Sequence, residues 1–140
     1  MGKRVLVVDD HAPTRALIRS ILDAEKSDTF TVVEADSGTE CLKAADRQGP
    51  FDLILLDVNL PDMDGFSVCR ALRSVDTTVP IVFVTAMGEL KDYATGRGAG
   101  GDSYLVKPIA RAALRSIVSL FTSIARARAT AGDAAEASGQ

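Results

Sequence analysis

FDLILLDVNLPDMDG, residues 51–65, sets the apolar run Leu53-Ile54-Leu55-Leu56 directly against a carboxylate, Asp57, with Asn59, Asp62 and Asp64 close behind. A continuous apolar run bounded by turn residues is the pattern of a parallel strand covered on both faces. Four more runs repeat it: Val5–Val8, Phe30–Val33, Ile81–Val84 and Tyr104–Val106. Helical patterns fill the gaps. Leu17, Ile18, Ile21 and Leu22 share one face of a helix entered near Pro13, a residue tolerated in a first turn. Ser37-Gly38-Thr39-Glu40 has the form of a capping box opening a helix that ends at Gly49-Pro50. Phe66, Cys69, Leu72 and Val75 make a third stripe, and Leu114, Ile117, Val118, Phe121 and Ile124 the last. Before Tyr104 the sequence is weaker: Gly88, Gly96, Gly98, Gly100 and Gly101 each cost a helix up to ~1 kcal/mol relative to alanine. Only a short, loosely held helix around Glu89–Thr95 is expected there, and with it the mobile part of the fold. The order β-α five times predicts a doubly wound α/β sheet of five parallel strands.

The chain has 140 residues, 46% hydrophobic and 25% charged, enough for one globular domain with its own core. That domain is expected over residues 3–122, with 123–140 extending the last helix into a small, polar, disordered tail after about Arg128. A net charge of −3 gives no sign of nucleic acid or an anionic membrane as partner. No run approaches the ~20 apolar residues that span a bilayer, and two aspartates interrupt the N-terminal MGKRVLVVDDH, so no signal peptide is read and a cytoplasmic location is expected. Cys41 and Cys69, far apart and outside any CxxC pattern, are expected as half-buried, reduced thiols.

Ligands of an open parallel sheet bind at the carboxyl ends of its strands. Asp9 and Asp10 follow the first apolar run, Asp57 the third, Thr85 the fourth and Lys107 the fifth. Each acid alone is readily explained as a turn or helix cap. Together they bring three carboxylates, a hydroxyl and an ammonium to one edge. Two like charges 4 Å apart at an effective dielectric of 20 repel by about 4 kcal/mol, and Lys107 cannot balance three. Mg²⁺, with Mn²⁺ as a substitute, is the hard cation this donor set suits, and it leaves positions for phosphate oxygens. Asp57 is the candidate nucleophile, because a carboxylate can form an acyl phosphate.

VVDD, LLDVNLPDMDG, VFVTA and YLVKP, in this order and at these intervals, resemble the receiver domain of bacterial response regulators, the CheY-like family, over roughly residues 3–122. The resemblance implies the flavodoxin-like strand order 2-1-3-4-5. It implies Asp57 as phosphoacceptor from a phosphohistidine on a sensor histidine kinase or phosphotransfer protein. It places Mg²⁺ on Asp10, Asp57 and the Asn59 backbone carbonyl, with Asp9 acting through coordinated water. Lys107 then pairs with the carboxylate and the phosphoryl oxygens, Thr85 bonds the phosphoryl group, and Tyr104 turns inward as Thr85 moves. The Lys107-Pro108 bond is often cis in the family. Output is expected through a downstream protein contacting the last two strands and helices, with a homodimer as an option. The family thus implies a signalling phosphoacceptor rather than an enzyme acting on a separate substrate.

Two departures stand out. GAGGDSYLVKP carries an extra glycine where relatives read GA-x-DYL, and Met87 and Asn59 occupy positions that affect acyl-phosphate lifetime in the family. Other readings fail on context. Gly96–Gly101 fits G-x-G-x-x-G but precedes a strand instead of following one. Asp62-x-Asp64-Gly65 hints at a calcium loop, yet Leu60 and Ala71 stand at its first and last ligand positions. No GxxxxGK[ST] occurs, and DDHAPT is too acidic for a flavin phosphate loop. His11 is read as a surface loop residue. Arg111, Arg115, Arg126 and Arg128 fit either a solvated face or a docking surface.

Overall fold

The computed structural model describes residues 2–86 and 93–138. Strands β1 (Lys3–Val8), β2 (Phe30–Ala35), β3 (Leu53–Asp57), β4 (Ile81–Ala86) and β5 (Ser103–Lys107) alternate with helices α1 (Ala12–Asp23), α2 (Gly38–Gln48), α3 (Gly65–Arg73), α4 (Tyr93–Ala99) and α5 (Arg111–Ser138). All strand pairs are parallel, in the order β2-β1-β3-β4-β5. The expected architecture and strand order are therefore present.

Successive strand residues face opposite sides of a sheet, and the core divides accordingly. Leu6, Val8, Ile54, Leu56 and Phe83 pack with Cys41, Phe66 and Leu72 on the side covered by α2 and α3. Val5, Val7, Leu53, Leu55, Val82 and Val84 pack with Ile18, Ile21 and Leu22 of α1 and Leu114 and Val118 of α5. Burying one such aliphatic side chain contributes roughly 1.5–3 kcal/mol, so an unbroken apolar strand is needed to cover both faces at once. Ser37 caps α2 by accepting from the Glu40 amide at 3.1 Å. Both cysteines are free and fully buried, not half-buried, and burial pushes the Cys41 thiol up to about 12.

Some expectations need correction. Leu17 is 41% exposed and Val75 85% exposed, beyond the end of α3, so neither belongs to its stripe's buried face. Helix α4 lies later than expected and runs through Gly96 and Gly98. Tertiary contact overrides propensity there, because a Cβ on Gly96 would meet the Tyr104 hydroxyl and the Phe83 ring. Met87 and the Glu89–Asp92 part of the expected helix lie outside the described residues. After Arg128 the backbone stays helical to Ser138, where a disordered tail was expected; alanine, the strongest helix former, dominates this stretch. Arg115, Arg126 and Arg128 turn onto the body of the domain, toward Glu25, Asp52 and Asp102. No helix among the described residues is long and apolar enough to cross a membrane.

Candidate functional site

The parallel register brings the strand ends together. Val8 pairs with Leu56, Asp57 with Val84, Thr85 with Val106 and Ala86 with Lys107. Asp9 and Asp57 are buried, at 2% and 5% exposure, while Asp10 is exposed. Carboxylate oxygens of the three lie within 4.8 Å of one another. Lys107 Nζ stands 3.0 Å from Asp9 Oδ2 and 3.3 Å from Asp57 Oδ2.

Backbone amides orient the two buried acids. The His11 amide donates to Asp9 Oδ1 at 2.8 Å, and the Asn59 amide donates to Asp57 Oδ1 at 3.1 Å. Burial raises the Asp57 carboxyl above the ordinary range; the Asn59 amide opposes this and the Asp9 charge adds to it. Burial works against the Lys107 ammonium, yet the adjoining Asp9 and Asp57 carboxylates leave it raised. Thr85 is 1% exposed. Tyr104 is half-buried, its ring centroid 5.4 Å from that of Phe83. The Lys107-Pro108 bond is cis.

The residues present fit a divalent cation. Asp9 Oδ2 is buried and accepts no aligned hydrogen bond, despite the nearby ammonium, so it keeps a lone pair facing the cluster. The donors are hard oxygens, the set that Mg²⁺ and Mn²⁺ favour.

The acids of the opening stretch divide. Asp62 accepts from the Gly38 amide at 2.8 Å and from the Thr39 amide and hydroxyl at 2.9 and 2.6 Å, tying the loop after β3 to the start of α2. Asp64 caps α3 through the Ser67 amide at 2.8 Å. Neither belongs to the carboxylate cluster. Sequence reasoning weighed Gly65 only within a calcium-loop hint and missed its place under Asp57: its amide donates to the Val58 carbonyl at 2.7 Å, and a Cβ there would strike the Asp57 carbonyl. The Met-Asp-Gly run was the signal, since glycine allows such close backbone approach. His11, exposed, precedes α1 with its ring Nδ1 2.7 Å from the Thr14 hydroxyl.

The response regulator receiver domain family matches residues 5–119. The chain belongs to this family. It is a receiver domain of two-component signalling, with an acidic pocket that fits Mg²⁺ and phosphorylation. Among curated relatives it is 42% identical over 105 residues to the transcriptional regulatory protein ResD of Bacillus subtilis, covering 75% of this chain and 42% of ResD. It is 42% identical over 108 residues to the DNA-binding response regulator MtrA of Mycolicibacterium paratuberculosis, covering 77% of this chain and 46% of MtrA. A CheY-like receiver domain protein from Methanospirillum hungatei superposes with a TM-score of 0.83 at 25% identity, covering 91% of this chain and 99% of that one.

These relatives correct one expectation. The receiver was expected to have no nucleic-acid partner, yet MtrA is DNA-binding and ResD transcriptional by name. The chain spans less than half the length of either. The net charge of −3 describes these 140 residues alone and says nothing of the parts of MtrA and ResD outside the match.

Proposed function

We propose that this receiver accepts a phosphoryl group on Asp57 from a phosphohistidine of a partner kinase or phosphotransfer protein, with Mg²⁺, and that Thr85 and Tyr104 pass the change to an output. One observation carries the reading: Lys107 and the acids that follow β1 converge on the buried Asp57. Asp57 attacks phosphorus in line; the new P–O bond forms as the P–N bond breaks, and the electron pair leaves on the imidazole nitrogen, which is then protonated. Asp10, Asp57 and the Asn59 carbonyl would hold the cation directly, and Asp9 a water bound to it. When bound, the cation neutralises charge on the transferring group. Lys107 contributes its ammonium to the same charge. The phosphorylated side chain gains negative charge and acceptor oxygens, to which the Thr85 hydroxyl and Lys107 can donate. The names of the relatives make transcription the output class best supported.

The test is intact mass after incubation with acetyl phosphate and Mg²⁺. One added phosphoryl group, lost with EDTA or in Asp57→Ala, is the expected result. No adduct, together with no response to beryllofluoride, would leave a receiver that binds partners without phosphorylation.

A further inference from the structure

Behind the carboxylates, α1 presents two guanidinium groups one helical turn apart, on the same face. Arg15 Nη1 donates to the Asp9 carbonyl at 2.6 Å, and its Nε donates to Glu34 Oε1 at 2.9 Å. Arg19 Nε donates to Glu34 Oε2 at 2.9 Å, and its Nη2 donates to the Val32 carbonyl at 3.0 Å. Both arginines thus grip Glu34 of β2, but only Arg15 also reaches the acidic turn.

The Asp9 carbonyl belongs to the peptide that joins Asp9 to Asp10. Fixing that peptide fixes how two members of the cluster are presented to Asp57. The Arg15 side chain is only 17% exposed, so little water competes for its hydrogen bonds. We infer that Arg15, itself held by Glu34, is a positioning residue that locks the Asp9-Asp10 peptide and so sets the affinity of the carboxylate site for a divalent cation. The inference rests on the metal-assisted reading above. A lysine would keep the charge but lacks the planar fork that serves Glu34 and the carbonyl together.

The test measures Mg²⁺ affinity of the full chain by titration calorimetry, with thermal unfolding in EDTA as a separate readout. Arg15→Ala is expected to weaken Mg²⁺ about tenfold, the scale on which outer partners of metal ligands act. Arg15→Lys should recover little of that. Arg19→Ala removes the other half of the Glu34 grip and should lower the unfolding temperature while leaving Mg²⁺ affinity unchanged. Wild-type affinity in Arg15→Ala, or equal weakening in Arg19→Ala, would overturn the assignment. Should Arg15→Ala fail to fold, Arg15→Lys decides alone, with wild-type affinity counting against the inference. A wild-type chain that takes up no Mg²⁺ overturns the site reading itself, and this inference with it.

Discussion

Lys107 on β5 reaches Asp57 on β3 across the intervening strand, its Nζ 3.3 Å from Asp57 Oδ2. The same ammonium serves Asp9, so Asp57 has only a share of one compensating charge. Burial then dominates its carboxyl and raises it. A group raised on folding contributes fully below its unfolded value, about 3.9 for Asp, and loses that contribution as pH rises through the folded value. Metal-free Asp57→Asn should therefore be more stable than wild type at pH 7, with the gap closing as pH falls toward 4. Urea unfolding in EDTA across that range measures it. A less stable Asp57→Asn at pH 7 would mean that the Lys107 pair outweighs burial. Saturating Mg²⁺ should favour the wild type, because ligand binding stabilises the folded state.

Asp62 carries the opposite pH signature. Hydrogen bonds, first from the Thr39 hydroxyl and then from the Thr39 and Gly38 amides, hold its carboxyl down at about 2. Its contribution is present above the unfolded value and is lost as pH falls through about 2. Asp62→Ala should be less stable than wild type at pH 7, and the difference should shrink on acidification toward pH 2. Mg²⁺ affinity should not change, because this carboxylate faces α2. A tenfold weaker Mg²⁺ affinity in the variant would instead give Asp62 a part in the metal site.

What the sequence revealed follows from what a one-dimensional pattern can carry. The end of each apolar run locates a strand's carboxyl edge, so Asp9, Asp10, Asp57, Thr85 and Lys107 could be gathered before any coordinates. Direction is not carried. Asp62 and Asp64 lie within seven residues of Asp57 in the same acidic stretch, but their side chains turn to the starts of α2 and α3. The grip of Arg15 was invisible for a related reason: one partner is a backbone carbonyl and the other sits on a strand 19 residues away. The position of α4 was misjudged because propensity penalises every glycine equally, whereas Gly96 is required by a ring packed against it.

Two glycines of α4 should accordingly respond in opposite ways. A Cβ on Gly98 meets nothing within 4 Å, so Gly98→Ala should stabilise by up to about 1 kcal/mol through helix propensity. On Gly96 the added carbon would overlap the Tyr104 hydroxyl and press on Phe83. Gly96→Ala should destabilise and displace the Tyr104 ring. Paired urea melts, with the Tyr104 ring resonances followed by NMR, distinguish the two. A stabilising Gly96→Ala with unshifted Tyr104 resonances would show that α4 accommodates a side chain there.

Asp102, just before β5, ties three elements to one carboxylate. Its Oδ2 accepts from Arg73 Nη2 of α3 at 3.0 Å and from the Ile81 amide that opens β4 at 2.9 Å, while Oδ1 accepts from Arg128 Nη2 of α5 at 3.3 Å. These partners are not equivalent. The Arg73 side chain is 15% exposed and also donates to the Gly100 and Val79 carbonyls, so it cannot easily follow water if the acid is removed. The Arg128 side chain is 38% exposed and keeps a hydrogen bond to the Thr78 carbonyl. Removing the acceptor should strand an amide and a guanidinium with little water, at a cost of about 2 kcal/mol. Removing the exposed donor should cost about 0.5 kcal/mol or less. Asp102→Ala is therefore expected to destabilise several times more than Arg128→Ala in urea unfolding at pH 7. Equal losses would show that the hold on α5, rather than the closure of α3 onto β4, is the main contribution of this carboxylate.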